Sequence, residues 1–289
     1  MRVGILSVVI AASVGAGLML APGVVLATSG PLRGPGLYLA LGDSLAEGCT
    51  ASCPKSAGPI TGYLPTTGYV PLIAAETGLT PSDLGCPGET TSSMIGGGIC
   101  SYAAAKSQLN AAETFLETNQ RMVKLITIDI GANDLAPCIT GTINTTCVAA
   151  ATVTASLQLK SILTGLKRAD PSARIVGMNY YDPVLAAWLE PGFTGKLLAI
   201  ESVLYAAAFN RALDTVYAEF GYPVANVQNA FQTFNFYSYK FLPPSGPYVP
   251  ENVYEICTLT YTCLTSGGNP HPLESGYGVI AEAFAQALS

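Results

Sequence analysis

The chain has 289 residues and sets 13 Lys and Arg against 19 Asp and Glu, a formal net charge of −6. Charged residues make up 11% and hydrophobic ones 49%, where an average soluble domain is roughly 25% charged. This composition excludes a coiled coil and argues against a disordered chain. It also offers no basic stripe to replace the counterions of a nucleic acid.

Residues 1–27 read as an export leader. Arg2 is the only charge there, an apolar run extends from Val3 to Leu20, and Val25-Leu26-Ala27 carries the small-residue pattern of a cleavage site. A retained anchor is the competing reading, opposed by Ser13, Gly15, Gly17 and Pro22 inside and just after the run. The mature chain is then one domain, 28–289, found outside the cell. No later apolar run is expected to reach the ~20 residues that span a bilayer.

Strands and helices alternate from there on. Leu37 to Leu41 is a short apolar run ending at Gly42, a buried strand, and Tyr69 to Thr77 reads as a helix closed by Gly78. A weaker strand is expected over Leu79–Leu84 and a helix over Ala103–Leu116. Val123 to Ile130 is the strongest strand candidate, and a helix over Val148–Leu166 ends in Lys167 and Arg168, which suit its negative end. A fourth strand spans Arg174–Met178, a long helix Lys196–Phe220, a fifth strand Val224–Val227, and a final amphipathic helix Leu273–Leu288. The alternation predicts an α/β class fold, a five-stranded parallel doubly wound sheet covered on both faces.

Eight cysteines fall as four close couples, and none forms a C-x-x-C. In an oxidising compartment each couple is expected to close its own short loop: Cys49–Cys53, Cys86–Cys100, Cys138–Cys147 and Cys257–Cys263. A single histidine, His271, leaves no mixed Cys/His zinc finger, and no metal or other cofactor is expected.

Ligands of a parallel α/β sheet bind outside the carboxyl ends of its strands. The segments at that edge are Gly42-Asp43-Ser44-Leu45, Gly85 to Thr90 and Gly131-Ala132-Asn133-Asp134, joined near the C-terminus by Asn269-Pro270-His271-Pro272. A hydroxyl, a bare backbone amide, a carboxamide and an imidazole make a parts list for serine acyl transfer.

These four blocks, in this order, resemble the GDSL or SGNH hydrolases, and more narrowly the secreted actinobacterial members. The likeness runs from Leu37 to Phe284. It implies a three-layer α/β/α sandwich and an esterase or lipase in which Ser44 is nucleophile and His271 general base. The Ser44 amide, Gly88 amide and Asn133 side chain would form the oxyanion hole, while Asp134 fixes a turn. Many relatives carry Asp two or three residues before the histidine; here those positions are Asn269 and Gly268. The Gly268 carbonyl or the Asn269 side-chain oxygen is therefore expected to orient the ring, with Asp182 as a remote carboxylate alternative. The aromatic tract from Phe231 to Tyr261 suits an acyl chain or a sugar ring. The expected partner is a small-molecule or lipid acyl ester, hydrolysed by a monomer. A carbohydrate acetyl esterase and a non-catalytic binding protein are the alternatives.

Overall fold

The computed structural model describes Leu32 and residues 35–53, 66–265 and 268–289. The predicted leader, residues 1–27, lies outside the described residues.

The elements are β1 (Leu37–Gly42), α1 (Tyr69–Thr77), β2 (Thr80–Asp83), α2 (Thr91–Gly96), α3 (Gln108–Thr118), β3 (Val123–Asp129), α4 (Ala132–Leu135), α5 (Thr145–Ala169) and β4 (Arg174–Met178). After a 3-10 turn at Pro183–Leu189 come α6 (Thr194–Glu219), β5 (Val224–Ala225), α7 (Val227–Ala230), β6 (Tyr239–Phe241), β7 (Tyr248–Pro250), α8 (Glu251–Leu259) and α9 (Glu274–Leu288).

All five strands of the main sheet run parallel, in the order β2-β1-β3-β4-β5. The central strands β1 and β3 are buried along nearly their whole length, which explains their mainly apolar sequences; Lys124 of β3 is the one exposed position. Their register sets Leu39 beside Ile126 and Gly42 beside Asp129, so the turns after the two strands leave the sheet side by side. Helices α3, α5 and α6 pack side by side, and α1 packs on α9. The sheet lies between these helical layers, a doubly wound α/β/α arrangement.

Several elements differ from the sequence expectation. The helix expected from Ala103 begins only at Gln108, because Ser107 caps it and Ala104 takes a left-handed φ of 59° in a local bridge between Tyr102 and Ala105. The fifth strand stops after two residues, because the Asn226 side chain accepts from the Asn229 amide and starts α7. Helices α2 and α8 and the β6–β7 hairpin were not expected. Helix α5 also corrects the expectation about apolar length: its 25 residues are long and apolar enough to cross a membrane by length and composition. Leu159, Ile162, Leu163 and Leu166 of that helix are core residues. The four disulfides pair the cysteines as expected: Cys49–Cys53, Cys86–Cys100, Cys138–Cys147 and Cys257–Cys263.

Candidate active site

The turn after β1 is forced by sterics. Gly42 has φ 144°, and a Cβ there would lie 2.3 Å from the Asp129 carbonyl oxygen. Gln108, wholly buried at the start of α3, locks this glycine. Its Oε1 accepts from the Gly42 amide and its Nε2 donates to the Gly42 carbonyl, both at 2.8 Å. Asp43 then accepts from the Leu45 amide at 2.9 Å, closing the turn that presents Ser44 half-buried at the sheet edge.

His271 arrives from the other end of the chain, with its Nε2 2.9 Å from Ser44 Oγ. For Nε2 to accept from the serine hydroxyl, the neutral ring must carry its proton on Nδ1. The loop is held at consecutive carbonyls. Thr262 donates to Asn269 O at 3.2 Å, Tyr181 to Pro270 O at 2.6 Å, and the Tyr261 amide to His271 O at 2.9 Å. Burial lowers the His271 pKa from its usual 6.5, because the charged ring loses water.

Neither expected partner reaches the ring: buried Nδ1 has no hydrogen-bond partner among the described residues. The Asn269 side chain is spent elsewhere. Its Oδ1 accepts from the His271 amide at 2.9 Å, and its Nδ2 donates to the carbonyls of Thr50 and Ala51 at 3.1 and 3.3 Å. Asn269 thus ties the histidine loop to the serine loop rather than orienting the imidazole. Gly268, with φ 67°, donates its amide to Thr265 O at 3.2 Å within a turn. Asp182 is also committed away from the ring, accepting from the Val184 amide at 2.9 Å and from Ser202 Oγ at 2.6 Å; burial pushes its pKa up to about 6.

Gly88 sits exposed at φ 84°, a conformation that favours glycine, with open space where a Cβ would be. Asn133 lies between this loop and Asp43. Its Nδ2 donates to the Glu89 carbonyl at 2.9 Å and to Asp43 Oδ2 at 3.2 Å. Asp134 ties its own turn after β3 to the start of α2, accepting from the Thr91 amide at 2.9 Å and the Thr91 hydroxyl at 2.6 Å. Gln108 and the loop-tying roles of Asn269 and Asp134 escaped the sequence reading. A glutamine at a buried helix position was the one local signal for Gln108.

The Cys49–Cys53 bridge borders the imidazole, with Cys53 Sγ 4.0 Å from His271 Nε2. These three side chains are close enough to hold a metal ion, but the two sulfurs are bonded to each other and present no thiolate. Beside Asn133 opens a cavity of about 780 Å³. Its wall is mainly apolar, including Leu135, Ile139, Ile143, Leu198 and Phe209, and Gly268 and Pro270 border it from the histidine loop.

The fold is shared with solved hydrolases. An extracellular lipase of Streptomyces rimosus superposes with a TM-score of 0.56 at 20% identity, over 87% of this chain and 99% of that one. A lipase from a goat rumen metagenome gives 0.55 at 16% identity, over 87% and 97%. An acetyl-xylooligosaccharide esterase of Geobacillus stearothermophilus gives 0.54 at 14% identity, over 90% and 96%. At such identities the likeness is one of fold. The comparison with curated protein sequences finds no match. The model of the GDSL-like lipase/acylhydrolase family matches residues 40–278, a span that holds Ser44, Gly88, Asn133 and His271, and the chain belongs to that family.

Proposed function

We propose that the protein is an exported carboxylic ester hydrolase that works through a Ser44–His271 acyl-enzyme mechanism. The 2.9 Å approach of His271 Nε2 to Ser44 Oγ carries this reading. His271 takes the hydroxyl proton while Ser44 Oγ bonds to the ester carbonyl carbon. The oxygen that becomes negative is held by the Ser44 and Gly88 amides and by Asn133 Nδ2. Collapse breaks the bond to the alcohol, which leaves with the proton from His271. Water, deprotonated by the same ring, then releases the acid and restores Ser44. Every role is filled by a group of this chain.

To serve the oxyanion, Asn133 must give up one of its two present acceptors. The longer bond, to Asp43, is the one to yield, and Asp43 is buried with its pKa pushed up to about 6 by desolvation. The apolar cavity beside Asn133 favours an acyl chain over a bare acetyl group or a sugar ring.

Ser44→Ala and His271→Ala are each expected to lower ester hydrolysis by several orders of magnitude with the melting temperature nearly unchanged. Near-wild-type kcat in either variant overturns the mechanism. A series of nitrophenyl esters of rising chain length, with acetylated xylan in parallel, tests the substrate. Preference for the xylan would assign the chain to carbohydrate deacetylation instead.

A further inference from the structure

Helix α6 is apolar on two sides over its first half. Its inner side lines the cavity beside Asn133 through Leu198, Tyr205 and Phe209. Its outer side carries Phe193, just before the helix, and then Leu197, Ile200 and Leu204, all exposed, with Phe193 at 72% and Leu204 at 69%. Steps of four, three and four residues place them in one stripe along the helix. The stripe does not continue: the exposed positions further along include Arg211, Thr215 and Glu219.

The stripe lies at the catalytic edge of the sheet. Helices α5 and α6 both connect parallel strands of one sheet and pack side by side, so they run in the same direction. Lys160 of α5 pairs with Glu219 of α6 at 2.5 Å, which fixes their relative height. Counting back along both helices sets Leu204 level with the start of α5. The ten residues of α6 before Leu204 therefore rise roughly 15 Å beyond that start, at 1.5 Å per residue, on the side where Ser44 and His271 meet. Two more exposed apolar side chains lie on segments that border the same cavity. Leu189 ends the 3-10 turn, and Leu264 lies between the cavity-lining Thr262 and Thr265.

We propose that the outer face of the first half of α6, from Phe193 to Leu204, docks on the surface of a lipid aggregate. This rests on the reading of the chain as an acyl-ester hydrolase. The stripe projects at the level of the site and backs directly on the acyl cavity. The lipid surface then lies against one side of a helix whose other side lines that cavity. A soluble ester needs no such face. A helix lying on a bilayer buries its apolar side at the boundary between headgroups and acyl chains.

The test compares the wild-type protein with the triple variant Phe193→Ser/Leu197→Ser/Leu204→Ser. Flotation with phosphatidylcholine vesicles measures docking, a short soluble nitrophenyl ester measures the active site, and size-exclusion chromatography measures assembly. The wild type is expected to float with the vesicles. The variant should lose vesicle binding by about tenfold or more, from the apolar area removed, and hydrolyse the soluble ester at an unchanged rate. A wild type that stays with the soluble fraction overturns the proposal, as does a variant that floats equally well. A wild-type dimer that the variant converts to monomer assigns the stripe to a second copy and also overturns it. Vesicle binding by a wild type that hydrolyses no ester would support docking and refute the hydrolase reading.

Discussion

The Asn269 side chain makes three hydrogen bonds, one within the histidine loop and two across to the serine loop, and its removal tests whether those bonds set the catalytic geometry. Each is worth about 0.5–1.5 kcal/mol net, so the three together total roughly 2–3 kcal/mol once partial exposure is allowed for. Asn269→Ala removes the acceptor for the His271 amide and the donor to Thr50 and Ala51 together. The ring has no partner of its own at Nδ1, so the backbone placement that Asn269 helps to fix is what holds Nε2 on Ser44. A displacement of about 1 Å at a reacting group can cost on the order of 10² in rate. The expected outcome is a fall of about that size in kcat toward a short nitrophenyl ester, with KM nearly constant and a melting temperature lowered by several degrees. Asn269→Asp should lose as much, because a carboxylate would face the carbonyls of Thr50 and Ala51. A kcat for Asn269→Ala within about twofold of wild type would show that the Tyr181, Thr262 and Tyr261 bonds hold the loop unaided.

Asn133→Ala should lower kcat by on the order of 10²–10³ with little change in KM, because an oxyanion exists mainly in the transition state; an effect confined to KM would make Asn133 a substrate-binding group. Replacing Cys49 and Cys53 together by Ala should lower kcat more than stability, since the bridge spans only four positions and its sulfur lies 4.0 Å from the imidazole. Chain entropy for so short a loop is about 2 kcal/mol, and unfolding at ambient temperature in that variant would refute this assignment of the bridge to local shape.

The parts of this fold that were legible are those whose signal is local. The β1, β3 and β4 strands announced themselves as apolar runs because a parallel sheet buries both faces. The Ser44 and His271 blocks were legible as motifs. Helix α2, with the sequence Thr-Ser-Ser-Met-Ile-Gly, has no amphipathic period, and only the reciprocal Thr90–Ser93 cap marked its start. Helix α8 did carry a spaced trio, Val253, Ile256 and Cys257, but it lay within an aromatic tract. The residues that hold the site were hidden for another reason. Gln108 grips Gly42 from 66 positions away, and Asn269 reaches Thr50 across 219. Such pairings exist only once the sheet has brought the loops together, and no short-range pattern encodes them.

Behind Ser44 lie five buried carboxyl groups, Asp43, Glu47, Asp83, Glu89 and Asp129, and none takes part in the four ion pairs among the described residues. Buried oxygens of Glu47, Asp83, Glu89 and Asp129 have no hydrogen-bond partner there. Burial is the leading cause in every case, and it raises each pKa, that of Asp43 to about 6 and of Glu47 to about 7. A carboxyl whose pKa is raised by folding binds its proton more tightly in the native state. Its stabilisation is complete below the unfolded value near 4 and is lost as pH rises through the folded value. His271 acts in the opposite sense. Its lowered pKa favours the native state above 6.5 and weakens it as pH falls, but it is one group against five. Melting temperature should therefore fall as pH rises from about 4 to 8, while kcat/KM rises along an acid limb below 6.5 as His271 loses its proton. Glu47→Gln, which cannot ionise, should flatten the stability profile between pH 5 and about 8 and leave the acid limb of activity in place. A wild-type melting temperature that climbs over that interval, or a Glu47→Gln profile as steep as the wild type, would show that these carboxyls ionise freely in the folded protein.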